Sequence, residues 1–298
     1  MVPRERPRSY YGRPVIKPPV WTWEIPTYFF TGGLGGASAT LAFAAERTGN
    51  RDLARRSWLI SLASLSVSPM LLTSDLGKPR RFLNMLRVVK VTSPMSVGSW
   101  LLMLGGTAVT PAAAYSLVGR PRGIGRLAQP VAAALGTGVA TYTAVLVSNT
   151  AVPVWSEARW ELPLGFASSA AASAGAAALL ATPPAHAGPA RRLAIGGALV
   201  ESAVTEIMQR RLGEQGKPYR EGAAGALAKA AKALTLAGSA LVALGAGQRS
   251  RRVAGAGAVA LLAGSACERW AVFKAGFASA QDPEFTVAPQ RDRVAATG

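Results

Sequence analysis

Apolar and polar residues alternate along this chain in long blocks, without the 3.6-residue period of a soluble amphipathic helix. Eight stretches, at about 25–45, 57–74, 97–118, 127–149, 162–182, 193–209, 230–247 and 253–272, are rich in Ala, Leu, Gly and Val and carry few or no charges. A helix needs about 20 residues to cross a hydrocarbon core about 30 Å thick. The pattern therefore predicts an all-α integral membrane protein, a bundle of about eight transmembrane helices with short loops. Buried helices of a large soluble protein are a poorer reading, because eight all-apolar helices leave no outer layer to cover them.

Charge falls between these blocks. Arg47, Arg51, Arg55 and Arg56 form one group, Arg120, Arg122 and Arg126 another, and Arg249, Arg251 and Arg252 the last. The formal charge of +18 would point to nucleic acid in a soluble protein; here it reads as membrane topology, in a multi-pass protein of the cell membrane with no nucleic-acid partner. Only 16% of the residues are charged, against about 25% in soluble domains, and the mean hydropathy of +0.23 excludes a disordered chain. One cysteine, Cys267, and one histidine, His186, exclude a disulfide framework, a zinc site built from Cys and His, and an intrachain bis-histidine haem. Residues 1–24 read as a basic, Pro-rich tail without a cleavable signal, residues 25–272 as the membrane domain, and residues 273–298 as a second tail. Loop charges divide evenly between the two faces, so the positive-inside rule assigns neither to the cytoplasm.

Within the first stretch, Gly32 and Gly36 suggest a face for close helix contact, since small residues let helices approach in lipid. Because successive spans run in opposite directions, the starts of odd spans and the ends of even ones share one membrane face. There the chain collects Trp21, Trp23, Glu24, Tyr28, Asp75, Lys78, Arg80, Arg81, Tyr142, Asn149, Trp155 and Trp160. The tryptophans read first as interfacial anchors. Ser93-Pro94 reads as a helix start, with Ser as cap and Pro at the first position.

Asp75 ends the second span, where the helix dipole disfavours a negative charge. Gly77 and Pro79 are suited to stop that helix, and Lys78, Arg80 and Arg81 supply nearby cations. Two readings stand: an ion pair fixing the loop, or a proton-handling carboxylate beside a ligand pocket. Tyr28 and Tyr142 lie inside the bilayer near this face, as packing residues or as donors to a ligand carbonyl. Glu201 and Glu206 fall within the sixth stretch. A carboxylate in hydrocarbon must face the interior, pair, or hold a proton, although Glu206 is spaced to pair with Arg210. Glu46 reads as a solvated helix end and His186 as an exposed loop residue.

Three segments together resemble the NrfD family, the polysulfide-reductase-type membrane subunits of bacterial respiratory complexes. They are Trp21–Gly36 (WTWEIPTYFFTGGLGG), Asp75–Phe82 (DLGKPRRF) and Thr92–Trp100 (TSPMSVGSW). The stretch from Tyr142 through Asn149 to Trp155 fits more loosely. The segment 278–291 is similar to the end of actinobacterial members linked to formate-dehydrogenase-type partners. The resemblance implies a subunit with no redox centre of its own. It would bind a quinone, usually menaquinone, beside a four-cluster ferredoxin-like iron–sulfur subunit, which exchanges electrons with a molybdopterin catalytic subunit. The family's fourth-helix tyrosine carries over onto Tyr142 and its Asp-Leu-Gly-Lys/Arg-Pro acid onto Asp75. Its first-helix histidine position falls on Tyr28 and a neighbouring asparagine position on Ile25.

On this reading Tyr28, Tyr142, Asn149 and Trp155 would contact the quinone. Asp75, Glu201 and Glu206 would move protons, possible steps of a translocation path, and Lys78, Arg80 and Arg81 would dock the partner or pair with acids. A secondary transporter would favour broken helices and internal repeats, and no convincing repeat relates residues 1–150 to 151–298. A pure membrane anchor would bind the iron–sulfur partner and no quinone.

Overall fold

Each of the eight stretches forms a helix, and most of these helices are longer than the apolar run that predicted them. The computed structural model describes residues 14–76, 78 and 80–288. Its long helices are α1 (Glu24–Arg47), α2 (Arg51–Asp75), α4 (Pro94–Val118), α5 (Arg122–Ser148), α7 (Glu161–Ala181), α8 (Gly188–Leu212), α9 (Gly222–Gly247) and α10 (Arg251–Gln281). Two five-residue helices, α3 (Arg81–Met85) and α6 (Pro153–Glu157), and a 3-10 helix at Gly213–Tyr219 interrupt the connections on one face. The apolar runs mark the hydrocarbon segment, whereas hydrogen bonding carries each helix on through its charged ends. Thus α8 begins five residues before 193, and α10 runs past 272 to Gln281. Gly77 and Pro79, expected to stop the second helix, lie outside the described residues.

Six of these helices are long and apolar enough to cross a membrane: α2, α4, α5, α7, α9 and α10. The other two match them in length but not in composition. Glycine and threonine dilute α1, and α8 carries Arg191, Arg192, Glu201, Glu206, Arg210 and Arg211. The chain is a multi-pass membrane protein, and its surface is that of one. Met70, Leu104, Val131, Leu199, Ile207 and Val259 point outward in mid-helix, while Ser38, Ser61, Ser169, Ser173 and Ser265 are buried. Apolar side chains face lipid and small polar ones pack inside, where hydroxyls can bond neighbouring carbonyls. Ser61 does so, donating to the Gly35 carbonyl at 2.8 Å.

The helices form two four-helix groups, α1-α2-α4-α5 and α7-α8-α9-α10, joined chiefly by α1 and α5 against α7 and by α1 against α10. Glycines permit the closest approaches. A Cβ added at Gly136 of α5 would lie 2.5 Å from the Gly36 carbonyl oxygen of α1, and one at Gly36 would strike the Gly136 carbonyl in turn. The expected contact face of the first helix thus includes Gly36, whereas the nearest neighbour of a Cβ at Gly32 would be the Tyr28 ring of its own helix. Thr40 locks the same seam, donating to the Ala133 carbonyl at 3.1 Å. Ser93 caps α4 as expected, accepting from the Ser96 amide at 3.4 Å with Pro94 at the first position. Glu46 departs from its reading as a solvated end: it accepts from Ser116 of α4 and from Gln129 of α5, tying three helices together. His186 is the exposed loop residue expected, 3.3 Å from Asp52.

Substituting Gly136→Val should destabilise the α1–α5 seam by about 1–3 kcal/mol, the usual cost of overpacking. Gly106→Ala, whose methyl meets nothing within 4 Å, should leave stability unchanged or slightly raised. Thermal unfolding of the detergent-solubilised protein, followed by size exclusion, measures both.

Candidate functional site

At the face where α1 begins, α1, α2, α4 and α5 leave a cleft of about 600 Å3, counting its open mouth. Ile25, Leu72, Leu76, Met95 and Leu146 form apolar walls, and Tyr28, Asp75, Tyr142 and Ser99 supply polar groups, the Ser99 hydroxyl being engaged by the Met95 carbonyl. The antiparallel order of spans brings these four together from positions far apart in the chain. The two phenol rings stand 6.5 Å apart, centroid to centroid. Tyr28 is 1% exposed and its hydroxyl has no hydrogen-bond partner among the described residues. Tyr142 lies against α4 because residue 98 is glycine; a Cβ there would lie 2.0 Å from a carbon of the tyrosine ring.

Asp75 lines the cleft, and what holds it is not the ion pair with its sequence neighbours. Its carboxylate accepts from the Thr22 amide at 3.1 Å and from the Thr22 hydroxyl at 2.8 Å. Thr22 lies just before α1, which has no side-chain cap of its own. The acid at the end of α2 is therefore tied to the residue just before the N-cap Trp23, where the positive end of the α1 dipole offsets the negative end of its own. Among the described residues Asp75 makes no ion pair with Lys78, Arg80 or Arg81, which are exposed at the α2–α4 connection. The loop folds over the mouth instead, with Met85 of α3 in its wall. Backbone groups at Val88 and Lys90 are pinned by the Ser96 hydroxyl.

Two other expected contacts stand apart from the cleft. Asn149 is exposed at the C-terminal end of α5. Trp155 is fully buried, donates its indole N–H to the Val272 carbonyl at 2.8 Å, and fits a slot left by Gly276. It stacks under Trp21 at 5.8 Å, and Trp21 lines the cleft.

Glu201 belongs to a second cleft, of about 720 Å3, between α7, α8, α9 and α10. It is 4% exposed and faces Glu268, Arg269 and Ser169. Arg269, 1% exposed, donates to the Phe166 carbonyl at 2.8 Å, lies 3.7 Å over the Phe166 ring, and stands 3.8 Å from Glu268. The Tyr219 hydroxyl, buried and without a partner among the described residues, borders the same space. Glu206 is not interior: it sits at the rim, paired with Arg210 at 2.9 Å and Lys232 at 3.0 Å. Sequence reasoning missed Glu268 and Arg269. Their signal was an adjacent acid and base inside the last apolar stretch.

A family model described as "Polysulphide reductase, NrfD" matches residues 15–190, more than half of the chain. The match takes in α1 through α7 and the first turn of α8. No curated relative matches the chain.

Arg269→Gln should destabilise the protein by about 3–5 kcal/mol, because it leaves two buried carboxylates without their cation. Adding Glu268→Gln should recover part of that loss. Melting temperatures of the single and double variants in detergent provide the comparison.

Proposed function

The chain belongs to the NrfD family, the membrane subunits of molybdoenzyme complexes, and we propose that its own part is exchange with a menaquinone-type quinone in the Tyr28–Tyr142–Asp75 cleft. The observation that carries this reading is the Tyr28 hydroxyl. A buried phenol without a partner costs about 1–3 kcal/mol, and a ligand carbonyl entering the cleft would relieve it. The residues fit a flat ring with opposed carbonyls: apolar walls, two phenols and an open mouth. A bound quinone would supply a two-electron, two-proton couple.

The chain's own groups bind, orient and handle protons. Tyr28 and Tyr142 would hold a bound quinone by donating to its oxygens, and the apolar walls would keep bulk water from them. Asp75 holds or releases a proton at its free carboxylate oxygen, steadied by Thr22. Exposed Lys78, Arg80 and Arg81 offer positive charge beside the mouth to a four-cluster iron–sulfur subunit, itself linked to a molybdopterin subunit. Residues 278–291 favour a formate-dehydrogenase-type partner. In the second cleft, Glu201 shares a proton with Glu268, and Arg269 balances the remaining charge; Glu206 serves at the rim.

Tyr28→Phe and Tyr142→Phe should each weaken quinone binding about five- to tenfold, the worth of one hydrogen bond. Quenching of the intrinsic tryptophan fluorescence by a menaquinone analogue, compared with the same titration of Trp21→Phe, reads this in the purified protein. Asp75→Asn should lower quinone-linked turnover of the assembled complex more than it lowers affinity. Wild-type affinity in both tyrosine variants would overturn the assignment, and no quenching at all would leave an anchor. Glu201→Gln should reduce turnover-linked proton uptake while quinone binding stays intact; unaltered uptake would remove Glu201 from any relay.

A further inference from the structure

The opposite end of the bundle holds a third cleft, of about 1150 Å3 counting its mouth, between the α7–α8 and α9–α10 connections. Arg191, Arg249 and Arg251 border it, and no acidic residue does. None of the three guanidinium groups makes an ion pair or a side-chain hydrogen bond among the described residues. Three cations around one cleft repel each other, and half-buried Arg191 has an Nε that reaches neither water nor protein. Thr182 also borders the cleft; it is 1% exposed and its hydroxyl lacks a partner among the described residues. Donors thus converge from two connections with nothing to accept from them.

The backbone supports the same conclusion. Arg249 has φ 52°, the single non-glycine residue in the left-handed region among the described residues. Glycine or asparagine would occupy that conformation at lower cost, so an arginine there argues for a role of its side chain. Arg251 opens α10, whose N-terminal dipole adds further positive potential at the cleft. Below the arginines the walls become apolar, with Leu179, Leu180, Ala254 and Gly255. Leu180 and, farther along α10, Val259 are exposed on the outer surface.

We propose that this cleft binds an anionic phospholipid, with its phosphate among Arg191, Arg249 and Arg251 and an acyl chain along Leu180 and the outer face of α10. Basic pockets between transmembrane helices suit anionic headgroups. The apolar lower wall favours a lipid over a free phosphate, since the ion alone would leave that wall unfilled. The Thr182 hydroxyl donates to a phosphate oxygen.

The test is native mass spectrometry of the delipidated full chain, titrated with phosphatidylglycerol, with phosphatidylcholine of the same acyl chains, and with inorganic phosphate. One phosphatidylglycerol should bind about tenfold more tightly than phosphatidylcholine, and Arg249→Gln should weaken it about fivefold, the worth of one surface cation. Arg191→Gln with Arg249→Gln should weaken it about thirtyfold on the same scale. Arg120→Gln with Arg122→Gln, at the same end of the bundle but outside the cleft, should change nothing. Arg249→Gly separates binding from folding: it should lower lipid affinity like Arg249→Gln while the melting temperature holds or rises. Equal binding of the two lipids, or unchanged affinity in the Arg191 and Arg249 variants, would overturn the site. Inorganic phosphate displacing phosphatidylglycerol at equal concentration would overturn the lipid as its occupant.

Discussion

The backbone contact between Gly36 and Gly136 fixes the geometry on which the candidate quinone site depends. With no side chain between them, α1 and α5 meet carbonyl against glycine, a closeness that lipid-embedded helices achieve only through small residues. Tyr28 lies eight residues from Gly36 and Tyr142 six from Gly136, both toward the same face. At 1.5 Å per residue the two rings stand about 12 Å and about 9 Å above the contact. The ring separation of 6.5 Å is therefore a consequence of the seam below. Gly98 completes the arrangement from α4, because only a bare backbone leaves Tyr142 its place.

A different constraint governs the other half. Charges withdrawn from water lose several kcal/mol of solvation each, and pairing repays this only with good geometry. Arg269 is imperfectly compensated: one hydrogen bond to Phe166, a ring beneath it, and Glu268 at 3.8 Å. A well-packed apolar cluster would stabilise the same space better, so stability alone does not account for Glu201, Glu268 and Arg269. Their position is informative. The Arg269 guanidinium reaches to 3.7 Å from where a Gly33 Cβ would lie, and Phe166 beneath it packs at 5.8 Å from Phe29 on α1. One aromatic layer separates the buried charges from the tyrosine cleft.

Much of this was legible in the sequence because lipid permits few solutions. A chain in hydrocarbon must satisfy its backbone internally, so uncharged length alone revealed eight helices, and their alternation gathered Tyr28, Asp75 and Tyr142 on one face. Partner choice was not legible. In sequence Asp75 stands beside Lys78, Arg80 and Arg81, but Thr22 lies 53 residues away and is adjacent only once α1 and α2 pair. Trp155 looked like a ligand contact, since nothing in one dimension announces the slot that Gly276 leaves for it. Glu206 was half legible: Arg210 follows at helical spacing, whereas Lys232 comes from α9. Glu268 and Arg269 vanished in an apolar average, their opposite charges hidden by Ala, Gly and Leu on either side.

The family match ends where the chemistry changes. Residues 15–190 contain the whole tyrosine cleft, and the group formed by Glu201, Glu268 and Arg269 lies beyond them. Helix α8 carries too many charges to be recognised as a span by composition, yet it tolerates them in a graded way. Its arginines stand at the ends; Glu206 leans to the rim and its cations; only Glu201 is committed to the interior, where Glu268 and Arg269 receive it. Depth along one helix thus sorts like residues into different physical roles. Near the ends water screens a charge, and near the middle it must be shared or neutralised. A carboxylate kept at that depth bears its solvation cost only because Glu268 and Arg269 stand beside it.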